Sequence, residues 1–369
     1  MRLNPLDELA TLLRPAGGGL YLVSTGRAEQ LALQRTLYGV GTEALVQQRF
    51  LDTLARVPTA RALVLGVPSD VGAGFRRGAN LGPQAIRQRL LDDGVDLAGQ
   101  GVLDVGDAMV VPQLLHDEML GQEQLEATRA ALYPGLAPAV RAGLPVSPLS
   151  IAERAWELLL ALNPGAVPLT LGGDHSAALP AVRALHGARP GFGLVQSDAH
   201  TDLLEHRLGV KYCFATWSWH ANELLGRQGR LTQVGIRASG RDRAHWESTL
   251  GVRQFWAKDI LARPEATLDE VLAHVKGLGL PGGVFFSNDI DGTDSRWADA
   301  TGTPEPEGLT PDWVVELIRR LGREVGVVGG DVMEVAPSLT PTPESAPRTV
   351  GLAARYLRET IDAALGSRR

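Results

Sequence analysis

The sequence alternates short apolar runs with helix-like stretches over most of its length. Eight runs are predicted to form strands, at residues 61–67, 101–106, 167–172, 191–198, 231–236, 252–257, 283–289 and 324–332. Amphipathic patterns between and after them predict helices, for example at 151–163, 311–322 and 349–365. Apolar strands that alternate with helices are typical of a parallel sheet covered on both faces. We therefore expect an α/β fold, with one doubly wound domain and a parallel sheet of about eight strands.

Two regions depart from this alternation. Residues 1–60 have mostly helical patterns with a glycine-rich break at 15–20, which indicates a helical N-terminal extension packed on the domain. The domain itself is predicted to cover 61–369. Residues 107–150 are irregular, apart from a helix-like stretch at 118–132, and indicate an insertion. Such insertions either border an active site or form a simple surface excursion, and the sequence leaves both interpretations open.

Composition and charge exclude several kinds of protein. The net charge of −6 argues against a general nucleic-acid binder, whose surface is normally basic. The single cysteine, Cys213, excludes an intrachain disulfide and a cysteine-based zinc site. The sequence contains no apolar run of about 18 residues and no recognisable secretory signal, so neither a membrane span nor export is expected. These features predict a cytoplasmic protein.

Polar residues cluster at the predicted ends of strands. Three clusters follow strands directly, GGDHS at 172–176, SDAHTD at 197–202 and SNDIDGTD at 287–294, and GGDVMEVAP at 329–337 covers the last strand. Open α/β sheets place their ligand sites at the carboxyl ends of strands. Alternate residues of an extended segment point to the same side, which groups the side chains within DAHTD and within DID. The segments DAHTD and DID, together with His175 of GGDHS, offer four carboxylates and two imidazoles, which is enough for two divalent ions.

Each cluster alone also has a purely structural interpretation. A lone histidine is more often a satisfied core residue, and an isolated DxD often forms a turn or a helix cap. Three such clusters at successive strand ends are harder to explain, because buried carboxylates repel one another unless a cation neutralises them. A ligand set rich in carboxylates and free of thiolates suits a hard ion such as Mn²⁺ better than structural zinc. The pattern therefore favours a divalent-metal site.

These motifs resemble those of the ureohydrolase family, which includes arginase, agmatinase and formiminoglutamase. The resemblance covers about residues 61–365 and includes the segments 66–87, 103–107 and 302–309, in the family's order. It implies a single α/β domain with two Mn²⁺ ions, in a homo-oligomer, either a trimer or a hexamer. The metal ligands that it implies, with Asp198 and Asp289 as the bridging carboxylates, are His175, Asp198, His200, Asp202, Asp289 and Asp291.

The resemblance also implies a reaction, the hydrolysis of a C–N bond in a small guanidino compound to urea and an amine. Two ions about 3.5–4 Å apart lower the pKa of a shared water towards ~7. Asp202 would orient that water, and Glu334 would bind the substrate, because a carboxylate accepts two parallel N–H bonds from a guanidinium. Agmatine, a guanidino acid and guanidine are all possible substrates. The alternatives are a formiminoglutamase-like hydrolase that releases formamide, an arginase, and a metal-binding homologue without catalysis.

One segment departs from the family pattern. Arginase and agmatinase relatives usually carry a proton-shuttling histidine in this segment. When the segment is aligned by Tyr212 and Thr216, Phe214 occupies the position of that histidine, and a phenyl ring cannot transfer a proton. Three interpretations stay open: another group such as His206 or His220 protonates the leaving amine, the substrate needs little help, or catalysis is lost. Phe214, Trp217 and Trp219 either form a wall for the substrate tail or pack a loop on the body. We expect Phe214 and Trp217 to contact the substrate.

Overall fold

The computed structural model describes residues 3–366 and contains one mostly parallel sheet. Its nine strands lie in the order β1-β3-β2-β4-β9-β8-β5-β6-β7. Only the β1–β3 pair is antiparallel among the strand pairs of the described chain. The strands are β1 Leu13–Arg14, β2 Ala62–Val67, β3 Val102–Ala108, β4 Val167–Gly172, β5 Gly193–Ser197, β6 Leu231–Ile236, β7 Arg253–Trp256, β8 Val284–Asn288 and β9 Val327–Val332.

Helices cover both faces of this sheet, as the alternating sequence pattern predicted. One apolar core includes Trp156, Leu185 and Trp217, and the core on the opposite face includes Trp313 and Tyr356. The doubly wound α/β fold is therefore confirmed. The helices are α1 Pro5–Leu12, α2 Arg27–Tyr38, α3 Glu43–Ala55, α4 Gly82–Asp92, α5 Gln122–Leu132, α6 Pro138–Arg141, α7 Pro148–Leu162, α8 Leu179–Ala188, α9 Trp217–Leu225, α10 Arg243–Leu250, α11 Ala257–Ala262, α12 Pro264–Gly277, α13 Pro311–Glu324 and α14 Ser345–Gly366.

Local sequence explains where these elements begin. The hydroxyl of Thr310 accepts the backbone N–H of Trp313, and Pro311 occupies the first turn of α13, a residue that suits the start of a helix. Strands β2, β4, β5 and β8 are buried along their whole length, which fits their apolar composition. No helix within residues 3–366 is long and apolar enough to cross a membrane.

The N-terminal segment joins the sheet through the short strand β1, which the sequence did not predict. The carboxylate of Asp107 at the end of β3 accepts the backbone N–H groups of Gly17 and Gly19, at 2.8 and 3.2 Å. A side chain at Gly19 would place its Cβ 2.6 Å from that of Asp107, so this close approach requires glycine. On its other side Asp107 pairs with the buried guanidinium of Arg87, which also contacts Asp104 at 2.7 Å. Helices α1, α2 and α3 lie before residue 60. The separate N-terminal extension and its boundary at residue 60 stay a prediction.

The region 107–150 packs against the segment that follows SDAHTD. Glu118 accepts a hydrogen bond from the ammonium of Lys211 at 2.5 Å and another from the hydroxyl of Tyr212 at 3.1 Å. The ring of His116 lies 4.2 Å from that of Tyr212. Of the two interpretations left open by the sequence, these contacts favour a region that borders the candidate site, although its limits as an insertion stay a prediction.

Candidate metal centre

The four polar clusters follow four strands that are neighbours in the sheet. These strands, β4, β9, β8 and β5, occupy its centre and are all parallel, so their carboxyl ends meet at one edge. His175 begins a short 3₁₀ turn after β4, and Asp289 caps a second 3₁₀ turn after β8. The fold thus brings together residues that are more than 150 positions apart in the chain, such as His175 and Glu334.

Two groups of candidate ligands share one carboxylate. The first comprises His175, Asp198 and Asp289, and the second comprises Asp198, His200 and Asp291; within each group the ligand atoms lie within 4.8 Å of one another. His175 Nδ1 is 3.2 Å from Asp198 Oδ2 and 3.0 Å from Asp289 Oδ2. His200 Nδ1 is 3.1 Å from Asp291 Oδ2 and 3.6 Å from Asp198 Oδ1. This arrangement offers places for two cations on either side of Asp198.

Three of the carboxylates use one oxygen to fix the local backbone. Asp198 Oδ1 accepts the N–H of His200 at 2.6 Å, and Asp289 Oδ1 accepts the N–H of Asp291 at 2.9 Å. Asp291 Oδ1 accepts the N–H of Ala199 at 3.1 Å, which links two of the clusters. In each case Oδ2 faces a histidine of the site. For Asp289 and Asp291 the turn-forming and metal-binding interpretations are therefore compatible, because each function uses a different oxygen, whereas Asp198 Oδ1 both accepts a backbone N–H and faces His200.

A buried hydrogen-bonded chain orients His175. Its Nε2 lies 3.0 Å from Ser287 Oγ, and that hydroxyl donates to Asp331 Oδ1 at 2.9 Å. A hydrogen bond at one ring nitrogen fixes the tautomer and leaves the other nitrogen free to bind a metal. Burial raises the pKa of Asp331 to about 6, while the nearby His175 opposes that rise. Sequence reasoning did not assign a function to Ser287 or Asp331, although both lie within the quoted motifs.

The centre holds more negative charge than its histidines can balance. Burial raises the pKa of Asp289 well above its usual range, and the neighbouring Asp291 raises it further. The same holds for Asp202, with burial first and Asp198 second. Burial opposes the charged form of His200, yet Asp291 and Asp198 outweigh it and raise its pKa to about 12. An excess of buried carboxylates fits divalent cations, which remove the repulsion directly.

Trp217 is buried next to the metal centre and contacts two of the predicted ligands. It is 1% exposed, and its indole N–H donates to Asp202 Oδ2 at 3.0 Å. Its ring lies 4.4 Å from that of His175. Asp202 itself has a φ of 52°, a backbone conformation that non-glycine residues adopt mainly where surrounding contacts hold them. Trp217 thus orients two of the predicted ligands, and its expected contact with the substrate stays a prediction.

Glu334 lies beside the first group of ligands. Its Oε1 accepts the backbone N–H of His175 at 2.9 Å, and the side chain is buried. Its φ of 62° again places a non-glycine residue in the left-handed region. Burial raises the pKa of Glu334 well above its usual range, and Asp174 raises it further. A cationic partner would favour the ionised form of this carboxylate, as the predicted guanidinium contact requires.

Phe214 is half-buried in the segment after SDAHTD. Its backbone N–H donates to the carbonyl of Gly72 at 3.1 Å, and the guanidinium carbon of Arg207 lies 5.1 Å from the centre of its ring. His220, one of the two possible substitutes for the missing proton shuttle, has its Nε2 3.0 Å from the carbonyl of Lys211. His206, the other, is exposed. The structure thus gives neither histidine a contact with the predicted ligands.

Comparison with known proteins agrees with this geometry. The Arginase family matches residues 60–362. A guanidinobutyrase from Pseudomonas aeruginosa is 30% identical over 308 residues, which cover 80% of this chain and 85% of that protein. A human mitochondrial guanidino acid hydrolase is 32% identical over 279 residues, 75% of this chain and 71% of that protein. The crystal structure of agmatine ureohydrolase from Thermoplasma volcanium superposes with a TM-score of 0.61 and 29% identity, over 84% of this chain and 91% of that one.

The match covers strands β2 to β9, the four polar clusters and the candidate ligands. The resemblance drawn from the motifs is therefore confirmed. The chain belongs to the arginase family of ureohydrolases, binuclear-metal enzymes, and is a hydrolase that acts on linear amidines.

Proposed function

We propose that this protein hydrolyses the C–N bond of a small guanidino compound to urea and an amine, with two Mn²⁺ ions at the centre described above. The observation that carries the proposal is the pair of ligand groups that share Asp198, with Glu334 hydrogen-bonded beside them. The names guanidinobutyrase and guanidino acid hydrolase, borne by relatives, support a guanidino substrate. The proposed ligands are His175, Asp198, His200, Asp202, Asp289 and Asp291.

The cations, when bound, would supply electrostatic activation of the attacking water. The protein's side chains orient the attacking water and the metal ligands. Asp202 is proposed to orient that water, and its carboxylate is held in place by the indole N–H of Trp217. The chain from His175 through Ser287 to Asp331 keeps the imidazole ring in one orientation.

Glu334 is proposed to bind the guanidinium group. One of its oxygens is already fixed by the backbone of His175, so the carboxylate is held in place before the substrate arrives. A planar guanidinium presents parallel N–H groups that match the two oxygens of a carboxylate. Because Glu334 is buried, this pairing takes place away from bulk water, where charged hydrogen bonds are strongest.

The substrate tail is proposed to carry a carboxylate. Arg207 lies over the ring of Phe214, and no described residue within 4.0 Å supplies it with a carboxylate. The other cation of this segment, Lys211, already pairs with Glu118. A guanidinium without a carboxylate partner beside the predicted substrate wall favours a guanidino acid over agmatine, whose tail is an amine.

Phe214 itself favours the second candidate, a formiminoglutamase-like hydrolase, since members of that type also lack the shuttle histidine.

A product screen tests the reaction. The Mn²⁺-loaded protein is incubated with guanidinobutyrate, agmatine, guanidine, arginine and formiminoglutamate, and urea and formamide are measured, with the Asp289→Ala variant as the blank. Urea from a guanidino acid, lost in the variant, is the expected result. Formamide would support the second candidate. Neither product, with Mn²⁺ bound, would contradict the proposal and indicate a metal-binding homologue without catalysis.

We also propose that the protein is a cytoplasmic homo-oligomer, a trimer or a hexamer, as the family resemblance implies. Its proposed partner is a small guanidino or amidino substrate, and neither nucleic acid nor a membrane is involved. Sedimentation of the purified protein measures the size of the assembly. A monomer at micromolar concentration would contradict this proposal.

A further inference from the structure

A row of glutamines crosses one half of the sheet inside the protein. Gln196 on β5 pairs in register with Gln233 on β6, which pairs in register with Gln254 on β7. All three side chains are fully buried. Asp198 follows Gln196 by two residues and Trp256 follows Gln254 by two, so the row continues on the same side at both ends.

The side chains of this row form an unbroken hydrogen-bonded chain. The indole N–H of Trp256 donates to Gln254 Oε1 at 2.9 Å, and Gln254 Nε2 donates to Gln233 Oε1 at 2.8 Å. Gln233 Nε2 donates to Gln196 Oε1, also at 2.8 Å. Gln196 Nε2 donates to Asp198 Oδ2 at 2.7 Å. The last acceptor is the oxygen that faces His175 in the metal centre.

The direction of these bonds is fixed at both ends. An indole can only donate, and an ionised carboxylate can only accept. The orientation of a glutamine amide is otherwise ambiguous, but here each amide must turn its carbonyl towards Trp256 and its NH₂ towards Asp198. All amide dipoles of the row therefore point the same way, and each bond polarises the next.

We propose that this row, which starts at the edge of the sheet, positions Asp198 and thereby increases the affinity of the metal centre for its cations. The row holds Oδ2 of this shared carboxylate in one orientation and stabilises its negative charge. Two further contacts fix the row sideways: Ser218 Oγ donates to Gln196 Oε1 at 2.7 Å, and Gln233 Nε2 donates to the carbonyl of Thr201 at 2.6 Å. The inference depends on the metal centre proposed above, but not on the identity of the substrate.

Sheet stability alone does not explain the row. The backbones of β5, β6 and β7 are already paired without these side chains. On the opposite face, the adjacent positions Val195, Val234 and Phe255 are apolar and buried. Buried amides are unfavourable unless every polar group is bonded, and apolar side chains would fill the same space without that requirement.

The test compares three single variants by their Mn²⁺ dissociation constants, measured in metal-buffered titrations, and by urea unfolding of the metal-free protein. Gln196→Leu removes the bond to Asp198 and is expected to weaken Mn²⁺ binding by about 10–100-fold. Trp256→Phe removes the first donor of the row and is expected to weaken it by about twofold. Thr232→Val is the control, because Thr232 is buried on β6 next to Gln233 but outside the row.

A double variant separates positioning from general destabilisation. Once Gln196→Leu has broken the row, Trp256→Phe should have no further effect on the dissociation constant, whereas independent losses would multiply. Thr232→Val should leave Mn²⁺ affinity unchanged, even if it lowers the stability of the metal-free protein.

Wild-type affinity in Gln196→Leu would overturn the proposed role of the row. If that variant does not fold, unchanged affinity in Trp256→Phe overturns it instead. Neither result contradicts the proposed metal centre, because the wild-type protein still binds Mn²⁺ in both cases. A wild-type protein that binds no Mn²⁺ would overturn the metal centre itself, and the role of the row with it.

Discussion

Replacing Glu334 with glutamine should remove most of the catalytic efficiency while preserving the fold and the metal content. Glutamine has nearly the same shape, and its Oε1 can still accept the backbone N–H of His175, now 2.9 Å away. The left-handed backbone at φ 62° is also unaffected, because only the end of the side chain changes. The variant therefore deletes one negative charge and half of the proposed guanidinium contact.

The size of the effect follows from the burial of Glu334, which is 7% exposed. Removing one partner of a buried, hydrogen-bonded charge pair typically costs about 2–5 kcal/mol. Glutamine keeps one acceptor for the substrate, so we expect about 2–4 kcal/mol. Since about 1.4 kcal/mol corresponds to a factor of ten, kcat/KM should fall by about 30–1000-fold.

The assay measures kcat/KM on the guanidino substrate that the product screen identifies, together with the Mn²⁺ content of each preparation. Glu153→Gln is a matched control, because Glu153 on helix α7 is a partly buried glutamate, and it pairs with Arg183 of helix α8 at 3.2 Å. The control should retain wild-type kinetics. Less than a threefold loss in Glu334→Gln at full metal occupancy would refute the proposed guanidinium contact.

Three further predictions concern the substrate segment and the stability of the fold. Phe214→His should raise kcat at least about tenfold and add an ionisation to the pH–rate profile, because general acids typically contribute about 10²–10⁴-fold; an unchanged profile would show that this position does not reach the leaving amine. Arg87→Met should lower the free energy of unfolding in urea by about 3–5 kcal/mol, because it leaves the buried carboxylate of Asp107 unpaired. Burial lowers the pKa of His116 from 6.5 to about 4, so neutral His116 stabilises the fold above pH 6.5, and about 3 kcal/mol is lost as the pH falls towards 4. His116→Gln should flatten the dependence of unfolding free energy on pH in this interval, and an unchanged slope would contradict the buried neutral histidine.

Most of the sheet could be predicted because most of its strands lie in short apolar runs bounded by turn residues. Each of the eight predicted runs overlaps a strand of the structure, and most ends differ by only one or two residues. Strand β1 was missed because it has only two residues, too few to show any alternation. It pairs with β3 next to contacts between Asp107 and the glycines of the N-terminal segment, which join residues about 90 positions apart. Such contacts leave no local pattern in the sequence.

The candidate site was predictable to the extent that its residues lie in short motifs. The motifs place aspartates and histidines at strand ends, and the structure brings these ends together. The sequence could not show that the indole N–H of Trp217 donates a hydrogen bond to Asp202, since an aromatic residue in a short motif is equally compatible with a substrate wall. The hydrogen bond from Ser287 to Asp331 was also hidden, because its partners are 44 residues apart and neither is unusual on its own.

The structure explains how like charges are held close together in the metal centre. Asp198, Asp289 and Asp291 each commit one oxygen to a backbone N–H, so the positions of these carboxylates are fixed by the turns that follow β5 and β8. Their other oxygens face the histidines, and burial, together with repulsion from Asp291 and Asp198, raises the pKa of Asp289. The energy that opposes this crowding comes from the buried sheet and from the hydrogen bonds within the turns. A centre whose ligands are held by turns in this way would need little rearrangement to bind two cations, and their positive charge would remove the repulsion between the carboxylates.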